Sequence, residues 1–185
     1  VKALLLDYPD INIEISLNNS FVDIVAERFD AGVRLGESLD QDMIAVPISP
    51  PLRMVVAASP LYWQRHPKPL TPHDLVEHNC INIRLPTHQK LYAWEFEKDG
   101  KPLNVTVRGQ LTITSGQAQI DAALSGVGVM FSPEDKIKKY LDSGELVLAL
   151  DDWCPPFDGY YLYYPNRQLS SPALKLLIET LRYQR

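Results

Sequence analysis

Residues 53–60 read RMVVAASP, a nearly unbroken apolar run that stops at a serine followed by a proline. An apolar run of this length suits a strand covered on both faces rather than one. Ser59-Pro60 is a helix start: the serine side chain caps the free N–H groups, and proline at the first helical position gives up a donor that has no partner there anyway. A doubly covered strand passing straight into a helix is the repeating step of a layered α/β protein. The same signature recurs at Thr71-Pro72, Ser132-Pro133 and Ser171-Pro172. At Thr71, Asp74 lies three residues on, close to the reciprocal capping pattern in which glutamate is the usual partner.

The pattern extends both ways from this strand. Upstream, residues 11–17 (INIEISL) alternate apolar and polar, the mark of a half-buried strand. Asn18, Asn19 and Ser20 can cap a helix carrying Phe21, Ile24, Val25 and Phe29. Residues 31–35 (AGVRL) form a short strand closed by Gly36. Strand, helix and strand in so short a span predict a parallel crossover. Downstream, a strand at 81–83 precedes a hairpin turning at Asp99-Gly100. A strand at 110–113 and a helix at 117–124 follow, the helix ended by Gly126. A buried strand at 128–131 leads into the Ser132-Pro133 helix, which stops near Gly144. Strands at 145–150 and 159–164 precede an amphipathic helix with Leu174, Leu177, Ile178 and Leu181 on one side. Alternation of this kind places the chain in the α/β class.

Composition narrows the function. The 185 residues carry a formal net charge of −5, with 18 Lys and Arg scattered along the chain. Displacing phosphate counterions takes clustered cations, and the densest group, Lys136, Lys138 and Lys139, sits near a helix end, where it complements the helix dipole. Direct DNA contact by this segment is not expected. Cys80 and Cys154 lie in no CxxC pair and read as two buried reduced thiols, a composition suited to the cytoplasm. No apolar run approaches the ~20 residues that cross a bilayer. The chain opens at Val1 inside what reads as the tail of a helix, VKALLLDYPD, and is expected to continue a longer sequence.

Enzyme signatures are missing: no GxSxG elbow, no GxxxxGK[ST] loop and no HExxH pair. Gly126 and Gly128 precede a strand, the wrong order for a dinucleotide fingerprint. His73 and His78, five apart, would stand about 140° apart on a helix, poor geometry for sharing a metal. Glu134-Asp135 and Asp151-Asp152 read as dipole-stabilising or solvated carboxylates. Neither catalysis, nor a cofactor, nor a metal is expected. What remains is binding. Ligands of open α/β sheets settle at strand carboxyl ends, beside the starts of the helices that follow. Two junctions there are rich in small polar groups: Asn18, Asn19 and Ser20, and Thr114, Ser115, Gly116 and Gln117. Both read either as grips for a carboxylate or as simple caps.

Six phrases in order carry a resemblance: YPDINIEI (8–15), FDAGVRLG (29–36), VVAASPLYWQRHPKPLTPHDLVEHNCINIR (55–84), AALSGVGVMFSP (122–133), LDSGELVLALDDWCPPF (141–157) and YYLYYPNRQLSSPALKLLIETLR (160–182). The succession resembles the effector-binding domain of bacterial LysR-type transcriptional regulators. The resemblance implies a two-lobed fold like that of type 2 periplasmic binding proteins, with two Rossmann-like subdomains joined by two crossover segments. Lobe I would comprise residues 1–52 and 158–185, without its first strand, and lobe II residues 53–157. A small organic molecule, expected to be anionic, would lie in the cleft between them. Contacts implied by the resemblance come from Asn18, Asn19, Ser20, Gly36, Thr114, Ser115, Gly116, Gln117, Phe131, Ser132 and Pro133. Arg34 is a candidate countercharge, or else the partner of Asp30 or of a hinge contact. The resemblance further implies a cytoplasmic homodimer or homotetramer that reaches DNA only through a winged helix-turn-helix outside this chain, with no membrane partner. A solute-binding protein of a transporter is the alternative on the same fold.

Overall fold

A computed structural model describes residues 1–17, 23–35, 43–84, 91–165 and 171–184. The chain divides into two compact units, Val1–Pro51 with Phe157–Arg185, and Leu52–Pro156. The first holds α1 (Lys2–Asp7), β1 (Gly32–Leu35), β2 (Met43–Pro47), β10 (Tyr160–Pro165) and α5 (Pro172–Leu181). Its sheet runs β1-β10-β2, and both pairings are antiparallel. Val46, Leu162 and Tyr164 bury against Leu174 and Ile178 of α5, side chains four apart and therefore on one helix face.

Three upstream expectations are corrected here. Residues 11–17 form no strand, and Leu17 is 95% exposed. Alternation supplies a face, but a strand needs a ladder, and no described strand lies alongside. The expected helix around residues 21–29 is, where described, a single turn. Asp23 Oδ1 accepts from the N–H groups of Val25 (2.9 Å) and Ala26 (3.1 Å), and Arg28 turns left-handed at φ 61°. The parallel crossover therefore does not form among the described residues; β1 pairs antiparallel with β10, more than a hundred residues downstream.

The second unit is built on β3 (Met54–Ala58), the strand read first. It lies between β8 (Met130–Pro133) and β9 (Val147–Ala149), antiparallel to both. Val56 and Ala58 face one core with Trp94, Phe96 and Phe131. Val55 and Ala57 face another with Ile120, Ala123 and Ile137. Coverage on both faces is what the unbroken apolar run requires. β4 (Asn82–Ile83) pairs parallel with β7 (Thr112–Ile113), and a parallel bridge of Cys80 with Val129 ties it to β8. The helices are α2 (Pro60–Arg65), α3 (Gly116–Leu124) and α4 (Glu134–Asp142). The hairpin β5 (Trp94–Lys98) and β6 (Lys101–Val105) turns at Asp99-Gly100, both with positive φ, as a type I′ turn demands.

Three of the four cap-plus-proline starts begin helices. Ser59 and Ser171 each accept from an N–H three residues on, at 3.4 Å. Asp74 closes a capping box with Thr71, although the turn at Pro72–Glu77 is a 3-10 helix. The fourth differs: Ser132 and Pro133 stay in β8, paired with Val55 and Met54, and α4 starts one residue later. The sheet ladder takes the serine before it can act as a cap.

Arg53, just ahead of β3, binds Glu134 through two 2.7 Å bonds and Asp151 through a third of 2.7 Å. The guanidinium holds the Glu134 carboxyl below its usual 4.5. Arg53→Gln is expected to cost about 1–2 kcal/mol at neutral pH, since the carboxylates are partly solvated and screened. A lowered carboxylate pKa stabilises above the unfolded value and is lost as pH falls through the folded one. Chemical denaturation of both proteins should therefore show the difference shrinking once the pH drops below 4.5.

Cys80 and Cys154 are free and buried. Burial pushes their thiols up to about 12 and about 11. Because the thiolate is the reactive form, a disulfide reagent at pH 8 should label neither cysteine in the folded chain and both once it is unfolded.

Candidate functional site

Within the second unit, β7, β4 and β8 run in one direction, so their carboxyl ends reach the same sheet edge. Directly after β7 come Thr114, Ser115, Gly116 and Gln117, all exposed. Ser115 caps α3, its Oγ accepting from the Ala118 N–H at 3.4 Å. That leaves the N–H groups of Gly116 and Gln117, at the first two helical positions, with no carbonyl four residues back inside the helix. The first turn of α3 carries no acidic residue. Gln117 turns its side-chain amide to Asp121 at 2.9 Å, away from the helix start. Gly116 meets open space where a Cβ would stand. Gln119, buried, donates to the Ile81 carbonyl at 2.9 Å and fixes α3 against β4.

The junction after β8 differs in charge. The first turn of α4 already contains Glu134 and Asp135, so its positive end is compensated by the chain itself. Of the two described helix starts at this edge, α3 is the one whose first turn carries no acid. Phe131 is 4% exposed, its ring stacked on Trp94 with centroids 5.3 Å apart. Ser132 is also buried, and its hydroxyl donates to the Pro133 carbonyl at 3.4 Å. Only Pro133 of these three is partly exposed.

In the first unit, the Arg34 guanidinium lies over the Tyr163 ring, 5.1 Å from its centroid. Asn18, Asn19, Ser20 and Gly36 lie outside the described residues. Sequence reasoning passed over Gln119, which no local pattern marks. It also passed over the Arg53 clamp, whose two carboxylate partners stand 81 and 98 residues away. Among the described residues, no group of three or more His, Cys, Asp and Glu gathers as a metal site, and no helix is long and apolar enough to cross a membrane.

The family description of the LysR substrate binding domain matches residues 1–185. A transcriptional regulator of Pseudomonas aeruginosa is 53% identical over all of the chain and 60% of its own length. The HTH-type transcriptional regulator PgrR of Escherichia coli is 36% identical over 100% of the chain and 62% of its own length. The chain thus spans about 60% of the curated relatives it matches. Among solved structures, the Vibrio cholerae virulence activator AphB superposes with a TM-score of 0.82 at 25% identity, covering 97% of this chain and 60% of that one. The regulatory domain of AphB from Vibrio vulnificus gives 0.82 at 26%, covering 97% and 87%. The α/β fold is thus that of LysR-type regulatory domains, like type 2 periplasmic binding proteins, and the chain belongs to the LysR family as the effector-binding domain of a transcription regulator rather than an enzyme.

Proposed function

We propose that the effector is a small organic anion, held in part by the start of α3. The observation that carries this is the exposed, uncompensated Gly116–Gln117 turn at the carboxyl ends of three parallel strands. Two free N–H groups and the helix dipole favour a carboxylate or phosphate there. Thr114 and Ser115 add hydroxyl groups, and Pro133 borders the same edge. Phe131 and Ser132, being buried, support this wall without touching the ligand. Arg34 is the corresponding cation of the first unit, with Asn18, Asn19, Ser20 and Gly36 as further contacts. In the whole protein, effector binding would favour one arrangement of a cytoplasmic homodimer or homotetramer and so move a helix-turn-helix on DNA. A ligand shifts such an equilibrium only by its differential affinity for the two arrangements.

Gly116→Asp separates binding from folding. An acid in the first turn complements the helix dipole by about 0.3–1 kcal/mol. The variant should therefore melt at a higher temperature than the parent. Its carboxylate would also occupy the anion position. Calorimetry against a panel of small carboxylates and phosphates should show a binder for the parent chain and at least a tenfold loss for Gly116→Asp. Equal affinity in the two proteins would refute the proposal.

A further inference from the structure

Away from the candidate site, at the amino ends of β4, β7 and β8, lies a cluster of Tyr62, His66 and His78. The Tyr62 hydroxyl accepts the Asn79 backbone N–H at 2.9 Å and lies 3.3 Å from His78 Nδ1. Accepting from Asn79 leaves the hydroxyl its own proton to donate. When that proton goes to His78 Nδ1, the nitrogen is unprotonated and the ring proton sits on Nε2. His66 stacks on Tyr62, centroids 4.5 Å apart, and stands 6.2 Å from the His78 ring. Trp63 closes the cluster edge-on at 5.7 Å.

Asn79 is the link to the rest of the unit. Its side chain accepts from the Gln110 N–H at 2.8 Å, ahead of β7, and donates to the Val127 carbonyl at 2.7 Å, ahead of β8. Its backbone carbonyl accepts from Val129 at 2.9 Å. One residue therefore ties together the segments that lead into all three parallel strands, and the Tyr62 hydroxyl holds its backbone.

We propose that Tyr62, His66, His78 and Asn79 form an acid-released latch, in which protonation of His78 frees Asn79 and loosens β4, β7 and β8. A proton on Nδ1 removes the acceptor that orients the Tyr62 hydroxyl. It also places a cation at a site only 9% exposed, next to a second histidine. Burial and His66 hold His78 below the usual 6.5, while Asp74 and Glu77 on the neighbouring 3-10 turn pull the other way without reversing it. Asp74 is already engaged by the N–H groups of Leu70 and Thr71. The folded chain thus takes this proton less readily than the unfolded one. The latch is fully stabilising above 6.5 and is lost as pH falls through the folded value.

The latch does not depend on what the candidate site binds. Histidine-ring NMR and amide hydrogen exchange on the 185-residue chain test it. The neutral His78 ring should carry its proton on Nε2 and titrate below 6.5, and His66→Gln should raise that midpoint. Corrected for intrinsic pH dependence, protection of the Asn79, Gln110 and Val129 amides should fall at least tenfold across the midpoint, and His78→Gln should remove that step. A proton on Nδ1 at neutral pH, a midpoint at or above 6.5, or an unchanged step in His78→Gln would overturn the latch. Should His78→Gln not fold, the ring tautomer and midpoint of the parent chain decide alone.

Discussion

Gly128→Ala is expected to cost about 3 kcal/mol or more, at the upper end of what overpacking does to a well-filled core, and to leave little folded second unit. A Cβ at Gly128 would run into the Asn79 carbonyl, the group that accepts the Val129 N–H at 2.9 Å. On the other side of the same segment, a Cβ at Gly109 would run into the Cys80 backbone, whose N–H donates to Arg108 at 3.0 Å. The start of β4 is thus flanked by a glycine on either hand. Neither neighbour can acquire a side chain without pushing the strands apart, and the obstacle is backbone rather than a side chain that can swing away. Neither glycine has a positive φ, so the requirement is space and not conformational freedom. Urea denaturation should show Gly128→Ala and Gly109→Ala both severely destabilised. Gly144→Ala, at a left-handed helix end with open space around it, should suffer only the smaller backbone penalty, about 1 kcal/mol.

Trp94→Ala should have a comparable effect by the opposite means. Trp94 is 1% exposed, and its ring stacks on Phe131 at 5.3 Å. Tyr92 and Phe96 pack on the other sides of Phe131, at 6.5 Å and 5.2 Å. Removing a buried tryptophan leaves a cavity the surroundings fill only in part, at about 3–5 kcal/mol. The loss should fall mainly on the hairpin β5–β6, which reaches the core through Trp94, Phe96 and Val105. Hydrogen exchange should show hairpin amides losing protection before those of β3. Trp94→Phe, which keeps a ring in the space, should recover more than half of the loss.

What the chain reveals without a structure depends on how local the cause is. Ser59-Pro60, Thr71-Pro72 and Ser171-Pro172 were legible because cap and helix lie within four residues. Asp99-Gly100 was legible because a two-residue turn needs positive φ at both positions. Ser132-Pro133 carries the same letters, yet Val55 of β3, 77 residues upstream, pairs with the serine and claims it for the ladder. The strand at Met43–Pro47 shows no alternation and was not anticipated. Residues 11–17 alternate well and still form no strand, because alternation says nothing about a partner. The candidate site was half legible: the polar run Thr114 to Gln117 announced a helix start, but α4's compensating acids singled out α3 only once both starts stood at one edge. Phe131, read as a contact, packs into the core, which alternation in a short buried strand cannot foretell.

The most direct measurement is an amide-resolved NMR titration of the chain with small carboxylates, phosphates, neutral sugars and amines. Shifts for at least one anion should centre on the Gly116 and Gln117 N–H groups and extend to Thr114 and Pro133's neighbour Glu134, with the neutral and cationic compounds leaving them unmoved. Anions that bind while these amides stay still, or an amine that moves them when no anion does, would contradict an anion-sensing role for this edge.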